Sequence, residues 1–137
     1  MVSEPFSISI SLLAIRLLAG ILFFFQGYDK VFKLKTGGVL NAFSDVMSQK
    51  NIPLPFARTA VFISSLIELA CGFLLVFGIF RDPALYLLTA NMLCVAAVFS
   101  MLKPMWDMNY FFPRFLLLII LLIVPREWDC LSLMNLF

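Results

Sequence analysis

Ser64-Ser65-Leu66-Ile67-Glu68-Leu69-Ala70-Cys71-Gly72 sets one carboxylate in the middle of an apolar run that has no other charge between Arg58 and Arg81. Such a run is long enough to cross a hydrocarbon layer as a helix, which takes about 20 apolar residues. An ionised side chain at the centre of that layer costs roughly 2.5 kcal/mol at the least. Glu68 therefore needs a partner or a proton, and it belongs on a face turned toward other helices. Ser64, Ser65, Glu68 and Gly72 share that face at helical spacing. The best candidate partner is Arg16, the only charge between Glu4 and Asp29.

The rest of the chain fits this setting. Its 137 residues are 63% hydrophobic and only 13% charged, with sixteen Phe and seven Met. That composition is wrong for a soluble domain and right for an all-α, integral membrane protein with a single domain over residues 1–137. A net charge of +2, with basic residues scattered along the chain, excludes a nucleic-acid partner. Histidine is absent, which removes histidine-ligated haem, the usual zinc constellations and every Ser-His or Cys-His nucleophile. Cys71, Cys94 and Cys130 form no C-x-x-C and no metal spacing, so no metal site is expected.

Hydropathy predicts a four-helix transmembrane bundle with spans at about 8–28, 59–80, 84–102 and 108–124. The opening residues lack a basic region and a small-residue cleavage site, so the first run reads as a retained span. Between the first two spans, Val39, Leu40, Phe43, Val46 and Met47 recur near helical period. They predict a short amphipathic helix lying on the membrane surface or capping the bundle. Gly37-Gly38 marks a break before it, and Ile52-Pro53-Leu54-Pro55 ends it. Trp106 and Tyr110 are placed to anchor at the interface, and an apolar tail over 130–137 is expected along it. Lys30, Lys33, Lys35, Lys50, Arg58 and Lys103 fall on one side against Arg81 and Arg126 on the other. The long first loop is therefore expected in the cytoplasm.

Counted from the long-loop ends of the predicted spans, Arg16 lies about 18 Å deep and Glu68 about 14 Å, a gap an arginine side chain covers. Asn91, on the third span, falls near the same depth. Arg16, Glu68 and Asn91 are thus the candidate polar centre, either a registry device or a proton, quinone or small polar ligand site. Cys71 and Cys94 follow Glu68 and Asn91 by three residues, which allows a facing dithiol, although small core packing is the commoner use. Gln26, Asp29 and Lys30, with Asp107, Asn109 and Arg114, form a candidate interfacial rim. The alternative for these is ordinary snorkelling.

Taken in order, Arg16-Leu17, Gly20, Gln26-Gly27-Tyr28-Asp29-Lys30, Ile52-Pro53-Leu54-Pro55, Glu68-Leu69-Ala70-Cys71-Gly72, Gly78 and Arg81 resemble the DoxX family of small membrane proteins. The resemblance implies a four-helix bundle in the bacterial inner membrane. It marks Arg16, Lys30, Glu68 and Arg81, with Gly20, Gly27, Gly72 and Gly78 as close-packing positions. It also implies an accessory or small subunit in membrane-linked redox or stress metabolism, beside a membrane or peripheral redox protein. Some relatives instead assist membrane-protein assembly, so a non-catalytic scaffold is the alternative. No cofactor is evident; if the protein is redox-active, quinone or thiols are favoured over a bound metal. The ending departs from the family pattern, since Ser132 is followed by Leu133, Met134 and Asn135 rather than soon by an acid.

Overall fold

The computed structural model describes residues 4–41, 44–102 and 111–131. Helix α1 (Glu4–Tyr28) runs without interruption into a π-helical turn, Asp29–Lys33. Two short helices follow, α2 (Lys35–Asn41) and α3 (Ser44–Gln49), and then α4 (Leu54–Phe77), α5 (Arg81–Leu102), α6 (Phe112–Ile123) and a 3-10 turn, Arg126–Trp128. No strand occurs among the described residues.

Three helical segments, Phe6–Lys33, Leu54–Phe77 and Arg81–Met101, are long and apolar enough to cross a membrane. Helix α6 is as apolar but has only 12 residues, about 18 Å of rise. The predicted fourth span over 108–124 therefore corresponds to a shorter described helix. Its first three residues lie outside the described set, as do Lys103, Trp106, Tyr110 and the tail from Ser132. Arg81 Nη2 donates to the carbonyls of Leu121 at 2.5 Å and Val124 at 3.1 Å, so the end of α6 meets the start of α5. Ser9 Oγ donates to the Trp128 carbonyl, which brings the segment after α6 back to α1.

Chain punctuation explains the ends. Pro53 stands in extended geometry as the N-cap of α4, and Pro55 falls in the first turn, where a missing N–H costs nothing. Helix α4 thus starts at Leu54, earlier than the predicted 59. Gly78 closes it in the left-handed region, at φ 69°. Gly78 N donates to the Leu75 carbonyl and Ile79 N to the Leu74 carbonyl, the paired bonds that end a helix on a left-handed glycine. Gly78 therefore turns the chain between α4 and α5, a role other than the close-packing one expected of it.

In the first loop the break falls at Lys35, at φ 52°, and not at the glycine pair, which lies inside α2. The predicted amphipathic helix is represented by α2 and α3, which flank residues 42 and 43, outside the described set. Leu40 and Met47 are buried, as the apolar period required. Lys50 Nζ donates to the Met101 carbonyl, tying the end of this loop to the end of α5.

The core is organised by the antiparallel contact of α1 with α4. A Cβ on Gly27 would stand 2.4 Å from the backbone nitrogen of Leu69, and one on Gly72 the same distance from the nitrogen of Phe24. A Cβ on Gly20 would stand 2.8 Å from the Val76 backbone nitrogen and 3.0 Å from the Gly72 carbonyl oxygen. Small residues let helix backbones approach in this way where lipid supplies no hydrophobic drive to associate. Ala19, Phe23, Cys71 and Leu75 fill the space beside this seam, with Leu85, Leu88, Leu118 and Leu121 from α5 and α6.

Candidate functional site

The α1–α4 contact fixes which polar residues can meet. Gly27 lies against Ser65 and Leu69, which places Glu68 level with the end of α1. Arg16 stands further along α1 by about 16 Å of helical rise. The expected Arg16 to Glu68 pair is therefore not formed. Depths counted from hydropathy boundaries assume that the two helix ends are level, whereas Gly27 against Leu69 and Gly72 against Phe24 set α4 so that its start extends several residues beyond the end of the π turn.

Glu68 pairs instead with Lys30. Its carboxylate is 1% exposed, and Lys30 Nζ donates to Oε1 at 3.0 Å and to Oε2 at 2.8 Å. Lys30 retains 23% exposure, so one member of the pair is sealed in the bundle and the other is reachable. The π turn is part of this geometry. π-helical turns inside α-helices concentrate at functional sites, and here the wider turn carries Lys30 inward and Asp29 outward. Asp29 then pairs with Lys33 at 2.8 Å on an open surface. The Arg114 guanidinium, on α6, lies within range of the Glu68 charge, so two cations stand around one carboxylate. Gln26 Oε1 is buried without a hydrogen-bond partner among the described residues. Of the expected rim, Gln26 and Asp29 thus flank Lys30 on α1, Arg114 joins from α6, and Asp107 and Asn109 lie outside the described residues.

Arg16 belongs to a second centre. Its Nη1 is 3.3 Å from Asp129 Oδ2 and its Nη2 donates to the Leu131 carbonyl at 3.1 Å. Arg81 Nε lies 3.9 Å from the same Oδ2. Arg16, Arg81 and Asp129 are all buried. Asp129 was not among the expected site residues. A topological signal for it exists: the four predicted spans would bring the acids after the last helix to the side of the N-terminus, where a buried Arg16 needs one.

The third expected member, Asn91, joins neither centre. It is buried on α5, and its Nδ2 has no partner among the described residues. Ser65 Oγ donates to the Val61 carbonyl of its own helix and is thereby satisfied. Cys71 is buried while Cys94 is exposed on α5, so the two thiols do not face each other. No group of three or more potential metal-ligating side chains exists among the described residues.

Glycine-packed apolar helices holding charged pairs in their interior define a multi-pass α-helical membrane protein. A family model described as DoxX matches residues 11–101, more than half of the chain, and the protein belongs to the DoxX family. The match includes Arg16, Lys30, Glu68 and Arg81 and stops before Arg114 and Asp129. No curated protein and no solved structure matches the chain.

Proposed function

We propose that this DoxX-family membrane protein is an accessory subunit of a membrane-linked redox system and acts through the Lys30–Glu68 pair. The observation that carries the reading is that pair itself: a fully buried carboxylate, doubly hydrogen-bonded to a lysine that stays partly open. Intramembrane ionisable residues are functional candidates by default, because burying them is costly. The redox character rests on the family resemblance. Electron transfer is assigned to the partner protein, and the pair to the contact or proton exchange that supports it.

If the protein is redox-active, the sequence favours quinone or thiols over a bound metal. The aromatic trough formed by Phe24 and Tyr28 of α1 and Phe32 of the π turn with Leu69, Ala70 and Phe73 of α4 has room for a flat ring. Its walls are apolar, and Lys30, two residues from Tyr28, projects from the opposite side of α1. Apart from the Tyr28 hydroxyl, no side chain lining the trough carries a donor for the ring oxygens, so no step is assigned to a quinone here.

Glu68→Gln is the test. Lys30 can solvate its own charge, so the variant is expected to accumulate normally in the membrane. It is expected to lower partner-dependent electron transfer by about tenfold, equivalent to about 1.4 kcal/mol. Unchanged electron transfer in membranes containing normal amounts of the variant would overturn the reading. The scaffold alternative draws on large side chains left open to the surroundings, among them Phe25, Phe32 and Phe56. It is favoured if a stoichiometric partner co-purifies equally well, and works equally well, when Lys30 and Glu68 are both apolar.

The same reading places the protein in a bacterial inner membrane with α2 and α3 on the cytoplasmic side, supported by the basic residues at that end. A cysteine introduced at Lys50 in a chain lacking its native cysteines is expected to resist a membrane-impermeant maleimide in intact cells. It should react once the membrane is opened. Labelling in intact cells would reverse the orientation.

A further inference from the structure

We propose that Arg16 and Arg81 form a binding site for a phosphate-type oxyanion where α1 and α5 meet the segment after α6. Arg16 is 1% exposed, Arg81 4% and Asp129 1%, so two guanidinium groups share a single carboxylate away from solvent. Both are directed to the same oxygen, Oδ2, at 3.3 Å and 3.9 Å. The cluster carries one positive charge more than it neutralises. Among the described residues the other charges at this end do not correct the excess, since Asp82 and Arg126 stand together at the rim, 3.9 Å apart, and Glu127 is exposed.

The nitrogen inventory points the same way. Arg16 Nε, Arg81 Nε and Arg81 Nη1 are buried and have no hydrogen-bond partner among the described residues. Buried N–H groups are normally satisfied, and each exception calls for an explanation. Guanidinium forks match phosphate oxygens in paired hydrogen bonds. A tetrahedral oxyanion has enough acceptors to engage both forks at once and supplies the missing negative charge. Over the cluster lies the segment 126–131, held by the Ser9 to Trp128 bond at 3.0 Å and by the bonds of Arg16 itself. Displacing this short segment opens the site without separating the long helices.

Two sources offer the same chemistry: the phosphodiester of a membrane lipid, and a free phosphate or soluble phosphate ester. Thermal unfolding of the full chain in delipidated detergent micelles separates them. Sodium phosphate is compared with sodium chloride at equal ionic strength, and phosphatidylglycerol with diacylglycerol. Stabilisation by phosphate assigns a soluble ligand, and stabilisation by phosphatidylglycerol alone assigns a lipid headgroup. Arg81→Gln is expected to lose about tenfold or more in the affinity so measured. Asp129→Asn, which removes the competing carboxylate, is expected to gain about tenfold. If Arg81→Gln does not fold, Arg16→Lys replaces it, keeping the charge but losing the fork, with the same expected weakening. No stabilisation of the parent chain by either source overturns the proposal, and so do variants that bind as the parent does.

Discussion

Gly27→Leu is expected to abolish the folded protein or leave a small, easily melted fraction of it. A side chain at residue 27 would start 2.4 Å from Leu69 N and 2.8 Å from Leu69 Cα and the Ser65 carbonyl oxygen. These are backbone atoms, so no rotamer change makes room and the two helices must separate. Overpacking a core costs about 1–3 kcal/mol and occasionally more. Here the cost belongs at or above the top of that range, because the displaced contact is the seam on which the bundle is built. Gly37→Leu is the matched control, since a Cβ there meets nothing within 4 Å. Fluorescence-detected size exclusion and thermal melting in detergent read both variants. A Gly27→Leu chain that melts with its parent would show that the helices are not packed this closely.

Lys30→Met is expected to destabilise far more than Glu68→Gln, although the two remove opposite ends of one pair. Without Lys30, the Glu68 carboxylate is left at 1% exposure with Arg114 as the remaining cation in range among the described residues. Breaking a buried pair by deleting one partner costs about 3–5 kcal/mol, and the partial exposure of Lys30 and the nearby guanidinium reduce this to about 2–3 kcal/mol. Deleting Glu68 instead leaves a lysine that can turn its ammonium to water, a milder loss. Replacing both with apolar residues of similar volume should recover most of the stability, since a buried pair is weak evidence of net stabilisation. Unfolding titrations in mixed micelles check the order: Lys30→Met lowest, then Glu68→Gln, with Lys30→Met/Glu68→Leu near the parent. A double variant as unstable as Lys30→Met would mean that Glu68 draws on some other partner.

Much of the architecture is legible in residues alone, and the main failure is one of helix register. Apolar run length identifies α1, α4 and α5, and the glycines at 20, 27 and 72 mark the face on which α1 and α4 meet. Hydropathy does not say how two antiparallel helices are staggered. The π turn keeps α1 helical through Lys33, and Pro53 and Pro55 start α4 ahead of Arg58, in a proline-marked stretch that reads as loop. Both helices gain the same length on this side, so it is the stagger set by the glycine contacts, with α4 extending past the end of the π turn, that moves Glu68 away from Arg16 and toward Lys30 and divides one expected centre into two. Lys30 carries a correct clue, since it stands among the family-marked positions, but a span that ends at residue 28 leaves it with the rim. Asp129 was hidden for another reason. It follows the last helix in a polar turn, Pro125-Arg126-Glu127-Trp128, where an acid reads as solvated until the fold closes over it. Asn91 shows the limit of helical spacing, which places a residue on an inward face without supplying its partner.

The division into two centres is tested most directly by paired double-mutant cycles, run in the same micelles on Lys30→Met with Glu68→Gln and on Arg16→Met with Glu68→Gln. Residues in contact show interaction energies of about 0.5–3 kcal/mol, whereas separated sites add within about 0.5 kcal/mol. The Lys30–Glu68 cycle is expected in the upper part of that coupled range and the Arg16–Glu68 cycle within the additive limit. An Arg16–Glu68 coupling as large as that of Lys30 with Glu68 would contradict the register of α1 on α4 and restore a single polar centre.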